Sequence, residues 1–245
     1  MNLNQEDIVV GSQSANEFER LYIDLRHHEK RIYTDQEVAW LPEISEDHIH
    51  RKEWDIRRAS CKRLIRYLSR KNRSLKILEV GCGNGWLSYQ MSQIRYSNVI
   101  GLDINLEELQ QAERVFAAVP NLSFLYGGLS LVELEKFDIV VFAASIQYFN
   151  SLTDILETVL DLLNEKGEIH IIDTRFYSQE EVTEAEQRSR EYFNDKGFER
   201  MYDFYFHHSL NELKRFNYSI LFDPRSPLNR ILRNKNPFHW IYIRK

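Results

Sequence analysis

The chain has 245 residues, of which 43% are hydrophobic and 28% charged, and a formal net charge of −5. This suffices for one sizeable α/β core with appendages, and the acidic balance, with a pI near 5.9, argues against a nucleic-acid platform. With only Cys61 and Cys82, a disulfide framework or a cysteine metal cluster is not expected, and the absence of a signal-like start or of ~18 consecutive apolar residues predicts a cytoplasmic protein without a membrane span.

About seventy polar residues precede Leu75, and their patterns are helical. One segment carries Phe18, Leu21, Tyr22 and Leu25; a second opens with the capping pattern Thr34 to Glu37; a third, from Asp47, repeats Trp54, Cys61, Leu64, Ile65 and Leu68 on one face. This predicts a lid over roughly residues 15–49 and a helix packed on a sheet. Tyr22, Tyr33 and Trp40 are the lid's candidates for the substrate pocket.

The stretch Ile77 to Trp86, ILEVGCGNGW, follows as a strand, a turn with Gly81, Gly83 and Gly85, and a helix start. Glycines spaced in this way let a ligand approach the backbone, beside the unpaired N–H groups of the helix. A dinucleotide fingerprint needs a third glycine where this chain has Trp86, and Glu79 would repel a pyrophosphate. An acid there suits a ligand with an ammonium and a sulfonium, as in S-adenosylmethionine. The next strand, NVIGLD, ends in Asp103, twenty-two positions after Gly81, where a carboxylate can accept from ribose hydroxyls; the bland alternative is a cap for the helix beginning near Asn105.

Further strands are predicted near Leu122, Phe137 and Glu168, alternating with helices, which gives a parallel, doubly wound sheet. After Asp173, Ser178 to Glu181 opens a helix that stops near Gly197, and Ser209 to Glu212 opens another. Two strand-like segments, from Tyr218 and from His239, complete the chain. The roughly forty residues between the fifth and sixth strands exceed what a connection needs and are expected to shape the pocket.

Over residues 75–174 the chain resembles the class I S-adenosylmethionine-dependent methyltransferases, in their small-molecule, quinone-biosynthesis-like branch. ILEVGCGNGWLS is similar to their first motif, VIGLDIN to the second, FDIVVFAASIQYF to the fourth strand and its loop, and LLNEKGEIHIIDT to the fifth strand with its preceding turn. The resemblance implies a mostly parallel seven-stranded Rossmann-like sheet with an N-terminal helical extension. It divides one domain into a lid and packing helix (1–73), a cofactor core (74–174), and a pocket insertion with the last two strands (175–245). Where relatives carry an acid for the adenine amino group, this chain has Gly128.

The expected cofactor contacts are Glu79, Gly81, Cys82, Gly83, Asn84, Gly85, Asp103, Ile104, Gly128, Leu129, Ala143 and Gln147. Methyl transfer needs a base only if the acceptor must lose a proton, and the candidates are Tyr148, Asp173 and the His207–His208 pair; Tyr148 and His207 are also pocket candidates. The loop FAAS lacks the Asn/Asp-Pro-Pro-aromatic pattern for planar amino groups, neither cysteine is placed as a nucleophile, and no metal is expected. The favoured acceptor is a small molecule. Two alternatives stay open: an RNA acceptor held by the eleven Lys/Arg from Arg51 to Lys76, and a cofactor-binding protein without turnover. The acceptor atom and the oligomeric state have no signal.

Overall fold

A computed structural model describes residues 12–227, 229 and 236–245; the expectation drawn from the first eleven residues lies outside them. The parallel strands are β1 (Leu75–Val80), β2 (Ser97–Asp103), β3 (Leu122–Tyr126), β4 (Phe137–Ala143) and β5 (Leu163–Ile172). β6 (Asn217–Phe222) and β7 (Trp240–Arg244) follow, and β7 pairs antiparallel with both β5 and β6. Together they form a seven-stranded sheet in the order β3-β2-β1-β4-β5-β7-β6. Strand order reverses between β1 and β4, so a crevice opens beyond their C-terminal ends, the usual ligand position in open α/β sheets.

The central strands are nearly continuous apolar runs because helices cover both faces. Adjacent side chains point to opposite faces. Leu78 and Val140 pack towards α6 (Leu152–Asp161), whereas Ile77 and Val141 pack with Trp54, Leu64 and Leu68 of α3 (Arg51–Ser69) and with Leu87 and Met91 of α4 (Trp86–Ser92). Each such buried side chain contributes about 1.5–3 kcal/mol relative to exposure. α2 (Asp35–Trp40) carries the expected capping box, with Thr34 and Glu37 bonding reciprocally, and α5 (Leu106–Phe116) follows β2. A third, smaller cluster joins Phe18 and Leu25 of α1 (Ser12–His28) to Phe193 of α7 (Val182–Lys196) and to Met201. It holds α1 across the C-terminal end of the sheet.

Three local expectations differ from the structure. α3 begins at Arg51 and not near Asp47, because Ser45 Oγ donates to Asp47 Oδ1 in a turn that precedes it. The Ser209 capping pattern produces a single 3-10 turn, Glu212–Arg215: Glu212 does accept from the Ser209 amide at 2.6 Å, but Leu213 is buried and β6 starts at Asn217, so no length is left for a helix. The glycine turn expected before the fifth strand is absorbed into β5 as an irregularity, with Phe137 opposite Leu163 and Ile139 opposite Glu168. α7, by contrast, ends at Gly197 in the left-handed conformation expected of it.

Candidate active site

The turn after β1 is fixed by its neighbours. The Gly81 and Cys82 amides donate to the Leu102 carbonyl at 2.8 and 3.2 Å, which ties the turn to β2. Gly81 has φ +76, and a Cβ there would lie 2.4 Å from Cβ of Ser145, whose Oγ donates to the Val80 carbonyl. Glycine is therefore demanded twice, by conformation and by close approach. Gly85 has φ +73, but its missing Cβ would meet Phe124 and Ala112, so this glycine serves helix packing and lines none of the described cavities.

Asp103 stands opposite the turn. Its Oδ2 accepts from the Gly83 amide at 2.6 Å and its Oδ1 from the Asn105 amide at 2.8 Å, while the cap of α5 is Asn105, whose side chain accepts from the Glu108 amide. Asp103 thus braces the glycine turn as well as the α5 entry. Burial, with Glu108 nearby, pushes its carboxyl up to about 7. Glu79 is pushed up to about 8, chiefly by burial, and accepts from Ser88 Oγ.

A cleft of about 470 Å³ runs over this turn, lined by Gly81, Gly83, Asp103, Ile104, Gly128 and Leu129. Phe18 and Tyr22 of α1 lie over it and Phe149 closes its side. α1 is latched there: Glu19 accepts from the Leu106 amide at 2.7 Å and from Tyr126 Oη at 3.3 Å, and Arg26 pairs with buried Glu108 at 3.3 Å. Against it lies a second chamber of about 450 Å³, lined by Gln147, Asp173, Tyr177, Tyr205 and His207 among others. Tyr22, Ala144, Tyr148 and Phe206 line both, so Tyr148 stands at the partition, its ring 5.3 Å from Phe18 and 5.8 Å from Tyr205. Glu79, Cys82, Asn84, Ala143 and Tyr33 line a smaller cavity of about 60 Å³ that shares Tyr22 and Ala144 with the other two.

The structure thus gathers nearly all the residues singled out from sequence around three adjoining cavities. Trp40 is apart from them, 69% exposed and in none of their walls. Tyr33 is buried and accepts from Trp54 Nε1 at 2.8 Å, which makes its hydroxyl a packing contact. Burial raises Tyr148 above the usual phenol range and so disfavours its ionised form. His207 is lowered to about 4, by burial first and then by His208 and Arg188, and its Nε2 is 2.8 Å from Ser189 Oγ. Gln147 is engaged by Thr174 Oγ1 and the Ala144 carbonyl. Cys61 is pushed up to about 12 and Cys82 well above the thiol range by burial, so neither is a ready nucleophile.

Several lining residues had no separate signal. Phe18 looked like one more apolar helix position, and Arg57, in the chamber wall, was one of many cations in a basic run. Ser145 was hidden in the loop after β4. Among the described residues no three His, Cys, Asp or Glu side chains are grouped to hold a metal, and no helix is long and apolar enough to cross a membrane.

Comparison with known proteins agrees with this geometry. A family profile described as a methyltransferase domain matches residues 71–237. The chain is 26% identical over 123 residues to a malonyl-[acyl-carrier protein] O-methyltransferase of Halalkalibacterium halodurans, covering 46% of this chain and 45% of that one. It is equally 26% identical over 125 residues to the enzyme of that name from Bacillus cereus, covering 50% and 46%. The chain therefore spans under half the length of the curated relatives it matches. Among solved structures, magnesium protoporphyrin IX methyltransferase from Synechocystis PCC 6803 with bound SAH superposes with a TM-score of 0.60 at 14% identity, over 94% of this chain and 97% of that one. The plantazolicin methyltransferase BpumL, in complex with a monoazolic desmethylPZN analog and SAH, gives 0.55 at 15% identity, over 95% of this chain and 98% of that one. At such identities these two speak for the fold. With its profile matched over more than half the chain, this protein belongs to the methyltransferase domain family.

Proposed function

We propose that this protein transfers a methyl group from S-adenosylmethionine, bound in the cleft, to a small molecule held in the adjoining chamber. The observation that carries this reading is the meeting of two cavities of about 470 and 450 Å³ at Ala144 and Tyr148. The residues present fit the donor: Gly81 and Gly83 offer bare backbone, and the Asp103 carboxyl, although it accepts from backbone amides, keeps lone-pair capacity for a diol hydroxyl. Glu79 and Asp103 supply carboxyl groups for a cationic ligand, and Gly128 leaves the adenine end to the neighbouring backbone and apolar walls. When bound, the donor brings a methyl group already activated on a sulfonium. The chain's part is to orient the partners and exclude water, which Phe18, Tyr22 and Tyr148 favour by roofing and partitioning the site. On this reading α1 acts as the lid, while α2, which carries Trp40, lies outside it.

The basic run gives the RNA reading little support. Arg51 pairs with Asp55, Arg57 with Glu53, Arg58 with Glu43, Lys71 with Glu168, Arg73 with Asp138 and Lys76 with Glu135, so much of its charge is neutralised within the molecule. A cytoplasmic location belongs to this reading, since both cysteines are buried free thiols, the state a reducing compartment maintains.

Incubation with methyl-labelled S-adenosylmethionine and separate small-metabolite and RNA pools tests the proposal. Label should enter the small-molecule fraction. Label confined to RNA would replace this reading with the RNA one, and label in neither pool, with donor binding intact, would favour a binding protein without turnover.

A further inference from the structure

The ends of β4 and β5 hold two non-glycine residues in the left-handed region, Ala144 at φ +55 and Asp173 at φ +57. They are adjacent in space, because the Ala144 amide donates to the Ile172 carbonyl at 3.0 Å. Such conformations cost of order 1–3 kcal/mol each and persist only where the surroundings impose them. Here they set Asp173 into the wall of the chamber beside Ala144, which also lines the cleft.

Asp173 is 7% exposed and its carboxylate is half satisfied. Oδ1 accepts from Ser60 Oγ at 2.5 Å, and Ser60 in turn accepts from Asn236 Nδ2 at 2.8 Å. Oδ2 is buried and has no hydrogen-bond partner among the described residues. Leaving such an oxygen bare costs the full desolvation of the group, so it is a standing demand for a donor. The chamber's four arginines do not meet that demand: Arg31 is held by Glu29 and Glu53, Arg57 by Glu53 and Arg26 by Glu108, while Arg175 lies 3.9 Å from Glu181 and over the Tyr177 ring. The remaining walls are largely aromatic, with Tyr177, Tyr205 and Phe206 among them.

We propose that Asp173 is the base of the acceptor chamber, its free Oδ2 receiving the hydrogen of an O–H or N–H on an aromatic or similarly apolar acceptor, so that the chamber prefers hydroxyl and amine acceptors to carboxylates. This deepens the methyltransferase reading and rests on it. In the step, the acceptor oxygen or nitrogen bonds to the methyl carbon while the S–CH3 bond breaks with its electron pair passing to sulfur. The acceptor's proton passes to Asp173 Oδ2. A carboxylate acceptor brings no such proton and meets like charge instead. The groups facing Asp173 from α3 are Arg57 and Arg63, which favour its ionised form, and Glu53 and Cys61, of which Glu53 opposes it; burial raises it to about 6.

The test uses the full chain and two probes of matched shape, 2-naphthol and 2-naphthoate, titrated by fluorescence with and without SAH. Wild type should bind the naphthol at least tenfold more tightly than the naphthoate, and Asp173→Asn should erase or invert that preference while keeping its affinity for SAH. Asparagine tolerates the left-handed backbone, so this variant retains the local conformation. Ser60→Ala serves as a second variant: with one donor removed from Oδ1, the naphthol preference should persist and the pH below which it is lost should move upward. A wild-type preference for naphthoate, absence of naphthol binding, an unchanged preference in Asp173→Asn, or no pH movement in Ser60→Ala would overturn the assignment. SAH affinity in the same samples reports separately on the cofactor reading, so failure of one is distinguishable from failure of the other.

Discussion

The Gly83 amide donates to Asp103 Oδ2 at 2.6 Å, joining the glycine turn after β1 to the acid that ends β2. The acid proposed to take a ribose diol is therefore also a structural brace, with a second bond to the Asn105 amide. Asp103→Ala should weaken SAH binding by at least tenfold and also destabilise the fold by about 1–3 kcal/mol, because two amides lose their acceptor. Asp103→Asn, which keeps one acceptor oxygen, should recover part of the stability but less of the affinity. Denaturant midpoints alongside SAH titrations check both; full affinity in Asp103→Ala would limit this residue to bracing.

Gly81 and Gly197 share φ +76 but differ in surroundings. A Cβ on Gly81 would lie 2.4 Å from Ser145 Cβ, whereas nothing lies within 4 Å of one on Gly197. Gly197→Ala should therefore cost only conformational strain, about 1–2 kcal/mol. Gly81→Ala should cost more and abolish measurable cofactor binding, since the turn and the β4 loop must separate. Equal thermal stability of the two variants would contradict the close-approach argument.

Proton binding by the buried acids predicts a pH dependence of stability. Glu79 and Asp103 have folded values of about 8 and 7, above the ordinary carboxyl range. Between pH 6.5 and 8 they hold protons that the unfolded chain has released, so the unfolded state binds fewer protons and stability falls as pH rises. His170, His207 and His239 are lowered by burial, and because unfolded histidines still release protons at about pH 6.5–7.5, they offset part of this fall in the lower half of the window. Glu53 and Glu168, lowered to about 2, contribute fully throughout it. Urea midpoints should fall across the window in wild type and fall less in Glu79→Gln, which can still accept from Ser88. A midpoint that rises across the window would show that these acids are already ionised.

The sheet was legible because its signals are local: apolar strands interrupted by glycines, and helices opened by patterns such as Thr34 to Glu37. The placement of Glu79, Gly81, Gly83 and Asp103 was legible for the same reason, since strand ends converge on the crevice of a doubly wound sheet. The expectation for Trp40 followed from its residue type alone, and tertiary packing leaves that side chain in solvent. Gly85 shared the spacing of its neighbours but faces Phe124. The roof made by Phe18, the contact of Ser145 with Gly81, and the bare oxygen of Asp173 each depend on partners more than sixty residues away in the chain or on the lack of one. No pattern in the sequence reports such juxtapositions.

The central claim is that the cleft over Gly81, Gly83 and Asp103 takes the methyl donor. Calorimetric titration with S-adenosylmethionine, SAH and NAD tests it most directly. Saturable binding of the first two in the micromolar range, equivalent to about −8 kcal/mol, with no response to NAD, is the predicted result. Saturable NAD binding with silence towards both methionine-derived ligands would contradict the account.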